Sequence, residues 1–197
     1  MQTGQEQEKW QAFSERVSYL GQPHVEVDAF EPAADDIARL NERNLHVLRS
    51  LASLDERRAD NADDDSPLMQ ELQRMDSKIT VLLDIVDRLL MPVALLPRRQ
   101  PVSFNAVGLV LPQSVLPAGE RLLVRLHFEV CRALPLELPA QRGHLVNQEN
   151  AFVYFYALSD MVEDGLERFV FCHHRRKVAE ARLMGATEGV PGGRHRV

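Results

Sequence analysis

Between Asp35 and Met91 the apolar residues keep a seven-residue beat in two segments, with an acidic loop between them. In the second segment Leu68, Leu72, Met75, Ile79, Leu82, Val86 and Leu89 follow one another at alternating steps of four and three. That is the a/d heptad with which helices supercoil, apolar seam against apolar seam. The first segment repeats the spacing through Ile37, Leu40, Asn44, Val47, Leu51 and Leu54, with Asn44 a polar residue in the seam. Beside that seam runs a second row of Ala38, Leu45, Leu48 and Ala52, and Leu83, Ile85 and Leu90 make the last turns of the second segment apolar most of the way round. A helix that is apolar on several faces is buried on several faces. An intrachain hairpin turned at residues 60–65 leaves part of this surface open to water, so the pattern predicts a homo-oligomer. β-branched Ile79 and Val86 at a with Leu at d favour two strands, while the extra rows favour more.

The ends of both helices are marked. Pro32 with Asp35 and Asp36 opens the first, Ser66-Pro67 opens the second, and Pro92 stops it at Met91, as capping, dipole and proline chemistry require. At ~1.5 Å per residue each helix is about 36 Å long and is expected to project from whatever domain carries it.

The flanks read differently. Residues 1–12 are polar and predicted to be loosely ordered. Val17, Tyr19, Val25 and Val27 alternate with polar residues, predicting one or two short strands broken at Gly21-Gln22-Pro23. After Pro97, residues 105–111 read as a strand containing Gly108, and Leu122, Val124, Leu126 and Phe128 share one face of the next. Leu134, Leu136 and Leu138, then Val153, Phe155 and Ala157, predict two more. Short strands at this spacing make a small barrel. Helical spacing resumes from Ser159 to Leu183 and ends at Gly185, with a glycine-rich tail predicted to be disordered. The reading is an α+β protein: an N-terminal segment with an early strand (1–30), a helical oligomerisation insertion (31–92), a barrel with its closing helix (93–185) and a tail (186–197).

Charge and composition narrow the function. The first 91 residues carry 19 acids against 10 bases, and the remainder 10 against 13. The acidic half lacks the concentrated basic face that nucleic-acid binding needs, while the other half leaves room for a small anionic ligand. No stretch approaches a membrane span, and the polar N-terminus lacks a secretory core. Cys131 and Cys172 lie far apart, without disulfide or zinc spacing, so a cytoplasmic protein with reduced thiols is expected. Adjacent His173 and His174 point ~100° apart on a helix, which is wrong for joint metal ligation. With Cys172, Arg175, Arg176 and Lys177 they read as the closing helix's cationic face, available to a partner. The acidic loop lacks the glycine and terminal glutamate of an EF-hand. No catalytic constellation emerges, so no enzyme, metal or cofactor is expected.

The run Ser103-Phe104-Asn105-Ala106-Val107-Gly108-Leu109 resembles the second signature of PilZ domains, an Asp or Asn followed by x-Ser-x-x-Gly, and Tyr154 to Arg182 resembles that family's last barrel strand and closing helix. With heptad helices placed after an early strand, the chain resembles the atypical PilZ group. That resemblance implies a β-barrel receptor for cyclic di-GMP, assembled as a tetramer through inserted helices in a coiled coil. The ligand motif is degenerate. The family's Arg-x-x-x-Arg pair has only adjacent Arg98 and Arg99 as counterparts, Ser103 stands where the family has Asp or Asn, Asn105 stands where it has Ser, and only Gly108 matches. Two missing charge-assisted contacts at ~1.5–3 kcal/mol each weaken binding roughly a hundredfold or more. The expectation is a non-enzymatic signalling adaptor of the cyclic di-GMP pathway that works with a protein partner and binds the dinucleotide weakly or not at all. The alternatives are a genuine receptor and an inert coiled-coil scaffold.

Overall fold

The computed structural model describes residues 2–59 and 67–187. Along them run α1 (Gln2–Glu15), β1 (Tyr19–Gly21), β2 (His24–Ala29), α2 (Ala34–Ala59), α3 (Pro67–Leu90), β3 (Val102–Phe104), β4 (Gly108–Pro112), β5 (Arg121–Phe128), β6 (Cys131–Leu145), β7 (Asn150–Phe155) and α4 (Asp160–Thr187). The strands form one sheet in the order β1-β3-β4-β7-β6-β5-β2, with every pairing antiparallel. β1 and β2 are its opposite edges, yet only Gln22 and Pro23 separate them in sequence. The sheet must therefore curl into a nearly closed barrel. Its edges approach at the segment before β3, where the Val25 N–H donates to the Arg98 carbonyl at 3.2 Å and the Gln100 N–H to the Pro23 carbonyl at 3.0 Å.

Alternation fills the interior. Leu122, Val124, Leu126 and Phe128 of β5 point inward with Leu136 and Leu138 of β6 and Val153 and Phe155 of β7, all buried. Val162, Leu166 and Val170 of α4, at helical spacing, complete the same core. Leu134, placed on that face by its period, is instead exposed.

Three expectations are corrected. Of the segment predicted to be loose, residues 2–12 belong to α1, because β7 is apolar on both faces. Phe152 and Tyr154 point outward, and α1 covers them with Trp10 and Phe13. The strand predicted over 105–111 begins only at Gly108, because Asn105-Ala106-Val107 is the turn from β3. α4 continues past Gly185 to Thr187, and the rest of the predicted tail, like the acidic loop, lies outside the described residues.

The two heptad helices, expected to project together, part company. α2 lies on the barrel. β6 pairs with β5 from Cys131 to Gln141 but meets β7 only from Ala140 onward, so its edge at Glu137 is open. The Asn44 amide fills that edge as a neighbouring strand would. Its Nδ2 donates to the Glu137 carbonyl and its Oδ1 accepts the Glu137 N–H, both at 2.8 Å. One turn earlier, Asn41 Nδ2 donates to the Ala157 carbonyl and Oδ1 accepts the Ser159 N–H, each at 2.9 Å. This clamps a turn in which Ala157 has φ +54°, a left-handed conformation that costs a residue with a Cβ about 1 kcal/mol or more. Leu40, Asn44, Val47 and Leu51, predicted to face another subunit, are thus buried inside this chain, while Ile37 lies half-buried beside them. The side chains of Leu54 and Leu68 lie outside the described residues.

α3 is held chiefly at its C-terminal end. Asp87 accepts the Ala133 N–H at 2.8 Å and the Arg132 Nε–H at 3.1 Å, and both partners of this ion pair are largely buried. Burial, reinforced by the Asp87 charge, pushes the neighbouring Cys131 thiol up. Leu72, Met75, Ile79, Leu82, Val86 and Leu89 of α3 remain exposed, Leu82 at 61% and Leu89 at 75%.

Asn44→Ala leaves the half-buried Glu137 N–H and carbonyl unpaired, at ~1–3 kcal/mol per group. Urea unfolding is expected to show a loss of about 2–4 kcal/mol, and Asn44→Leu, which keeps the bulk, loses nearly as much. An unchanged midpoint in both variants contradicts the strand-mimic role.

Candidate functional site

The motif positions fall at the two ends of β3. At its start, the Arg99 guanidinium donates to the Gln22 carbonyl at 3.1 Å and pairs with Glu129 in the turn between β5 and β6. The same carboxylate lies 3.5 Å from His24 Nε2, whose Nδ1 meets the Pro97 carbonyl at 2.6 Å. Arg99 is therefore part of the barrel's seam. It also acts on Tyr19: burial pushes that phenol up, and the arginine charge draws it partly back. Arg98 contributes its carbonyl to the seam and leaves its side chain exposed. In mid-strand, Ser103 lies between Leu20 of β1 and Val110 of β4. It is half-buried and points away from the core that Val102 and Phe104 enter.

At the far end of β3, Asn105 is 2% exposed. Its Nδ2 donates to the Phe13 carbonyl at 3.0 Å and to Ser18 Oγ at 3.1 Å, and its Oδ1 accepts the Val107 N–H at 2.9 Å. The side chain holds the end of α1 to the turn between β3 and β4, and its donors and acceptor are occupied. Gly108 is needed for close approach: a Cβ there would sit 2.5 Å from the Val153 carbonyl oxygen and 3.0 Å from Tyr154 Cα.

The fold thus brings Arg99 and Asn105 to opposite ends of one strand rather than into one pocket, with Ser103 and the exposed Arg98 between or beside them. Two features were missed from the sequence. One is the aromatic stack of Tyr19, Phe104, Phe128, Phe169 and His173 between β1 and α4; the spacing of Phe169 and His173, one turn apart, was its only signal. The other is Lys177, whose Nζ donates to the Leu20 carbonyl on the free edge of β1. Part of the predicted cationic face of α4 is therefore occupied in holding the barrel. Among the described residues no cluster of three or more His, Cys, Asp or Glu is placed to hold a metal ion, and no helix is long and apolar enough to cross a membrane.

A family model described as atypical PilZ domain, cyclic di-GMP receptor, matches residues 48–183, more than half of the chain. No curated protein matches it. Among solved structures, the chain is similar to a pathogenic protein from Xanthomonas campestris, described as a tetrameric PilZ domain self-assembled via an unusual helical bundle. The two share 22% identity over 85% of this chain and 93% of that one, with a TM-score of 0.64.

Replacing Asn105 by Ala strands the Val107 N–H and frees the end of α1, so a loss of about 2–3 kcal/mol in chemical unfolding is expected. Arg98→Ala, at an exposed side chain, is expected to change stability by less than about 0.5 kcal/mol. Equal effects from the two contradict this division into a structural residue and a surface residue.

Proposed function

The chain belongs to the atypical PilZ domain family, and on that premise we propose that it is a non-enzymatic signalling adaptor. It works as a homo-oligomer through α3 and binds cyclic di-GMP weakly or not at all. The observation that carries the reading is the use the barrel makes of its motif side chains. Asn105 spends its amide on Phe13, Ser18 and Val107, and Arg99 spends its fork on Gln22 and Glu129. A ligand that recruited either must first break contacts the barrel relies on, in addition to lacking the carboxylate and spaced arginine pair of the family motif.

Oligomer formation follows from α3. Six heptad residues, each about half exposed or more, stand to gain roughly 1 kcal/mol apiece on being covered. Summed over several chains, that gain is of the same order as the cost of association. The solved relative is described as tetrameric through a helical bundle, which supports four chains joined through a coiled coil of this helix. Copies held together multiply individually weak contacts with a protein partner. A receptor reading stands second, supported by the family's description and by the exposed Arg98 side chain five residues before half-buried Ser103.

Isothermal titration with cyclic di-GMP at physiological salt is expected to give a dissociation constant weaker than about 10 µM; a sub-micromolar value selects the receptor reading. Leu82→Asp with Leu89→Asp places charge in the α3 seam without touching the barrel. Light scattering is expected to show wild type near four chains and the double variant as a monomer with an intact barrel. A monomeric wild type overturns the oligomer.

A further inference from the structure

α1 is fastened to the barrel unevenly. At its C-terminal end Phe13 is buried and its carbonyl accepts the Asn105 Nδ2–H, while Arg16, just beyond, pairs with Glu167 of α4 at 2.6 Å. Toward the N-terminus the helix has little with which to hold on. From Gln2 to Gln11, Trp10 is its one large apolar residue, and Gly4 weakens the helix relative to alanine. Packing does not call for that glycine, because a Cβ there would meet nothing within 4 Å among the described residues. Helices of this length are marginal in water on their own, so this part of α1 depends on its contacts with the barrel.

Those contacts converge on one irregularity of β6. Arg142 opposes Val153 and Leu145 opposes Ala151, so Gly143 and His144 together stand against Phe152. A bulge of this kind re-aims a side chain. Here His144 Nδ1 lies 2.9 Å from Glu6 Oε1, and the imidazole meets Trp10 edge-on with ring centroids 4.9 Å apart. Gly143 makes the room: a Cβ there would lie 2.9 Å from the Phe152 carbonyl oxygen and 3.5 Å from Glu6 Oε1. Beneath the helix, Phe152 and Tyr154 are buried.

We propose that the N-terminal part of α1 is a strap over the outer face of β7, pivoting at Phe13 and latched by the Glu6–His144 pair. Lifting it uncovers Phe152 and Tyr154 without disturbing the barrel interior. The latch responds to pH. With the imidazole protonated both members of the pair are charged; without that proton one N–H to carboxylate hydrogen bond remains. Histidine exchanges this proton between about pH 5 and 8, so the charged pair contributes fully at the acid end of that range and is lost as pH rises. The other charged groups about the imidazole are Lys9 on α1, Glu120 before β5 and, on β6 itself, Arg142, which is committed to the Gly119 and Pro117 carbonyls. Burial first, then the Glu6 and Glu120 charges, push the Tyr154 phenol up, so it stays neutral throughout.

Amide hydrogen exchange of the full-length protein, corrected for the intrinsic pH dependence of exchange, is read on residues 6–12 and on β7. In wild type the helix segment is expected to open at least about tenfold more often than β7, and its opening to rise about two- to fivefold between the acid and alkaline ends of the histidine range. Glu6→Gln, and His144→Phe with its ring kept against Trp10, are expected to match alkaline wild type at both ends, and acrylamide then quenches Trp10, the chain's single tryptophan, more readily. Glu8→Gln removes an exposed acid from the same helix and is expected to behave as wild type, which separates the latch from the charge of the helix. Residues 6–12 exchanging only as fast as β7 overturn the strap. An opening indifferent to pH, or unchanged in both Glu6→Gln and His144→Phe, overturns the latch.

Discussion

The two-residue link of Gln22 and Pro23 is the constraint from which the rest of this structure follows. It joins strands that occupy opposite edges of a seven-stranded sheet, and a flat sheet of that order would hold them some 30 Å apart at 4.8 Å per strand. Only a curled sheet satisfies both the pairing and the covalent chain. Closure then makes the segment before β3 the seam, which is why Arg98 gives its carbonyl and Arg99 its guanidinium to strand neighbours. Arg98 and Arg99, the nearest candidates for the arginine pair that the resemblance implies, thus stand where the barrel is sewn shut.

The same heptad beat meets two fates in α2 and α3, and the difference lies in what each helix can find within reach. α2 follows β2 directly and lies against β6, whose open edge at Glu137 presents a carbonyl and an N–H that need partners. Two asparagines three residues apart, Asn41 and Asn44, supply side-chain amides in a register that suits the barrel. A polar residue in a heptad seam is ordinarily read as specifying register between subunits; here it specifies register between a helix and a strand edge. α3 carries no such pair on its apolar stripe. It is fastened at Asp87 and leaves Leu72, Met75 and Ile79 outside the chain's own core.

Much of the barrel was legible because alternation of period two is a local signal. Leu122 to Phe128 and the break at Gly21-Gln22-Pro23 could be read without knowing their neighbours, and so could Gly108, where space for a side chain is lacking. Three things were not legible. Heptad spacing states that a face is buried but not against what, so the burial of Leu40, Val47 and Leu51 within the chain was hidden. The outer face of β7 looked like ordinary alternation until Phe152 and Tyr154 proved to need α1 as a cover. The chemistry at Asn105 depends on Phe13 and Ser18, residues distant in sequence, and such partners leave no mark in local spacing.

The turn between β5 and β6 ties the two halves of the molecule together. Glu129 in this turn takes Arg99 from the seam, and Arg132 just beyond it takes Asp87 of α3, while the buried His127 Nδ1 meets the Arg132 carbonyl at 2.7 Å. A buried ion pair of this kind is a weak source of stability but a costly one to break, ~3–5 kcal/mol when one partner is removed. Its effect is directional. Because Asp87 lies within the last turn of α3, before Pro92 ends the helix, the pair fixes the angle at which the apolar helix leaves the barrel. Copies that joined along α3 would therefore inherit a set orientation of their barrels.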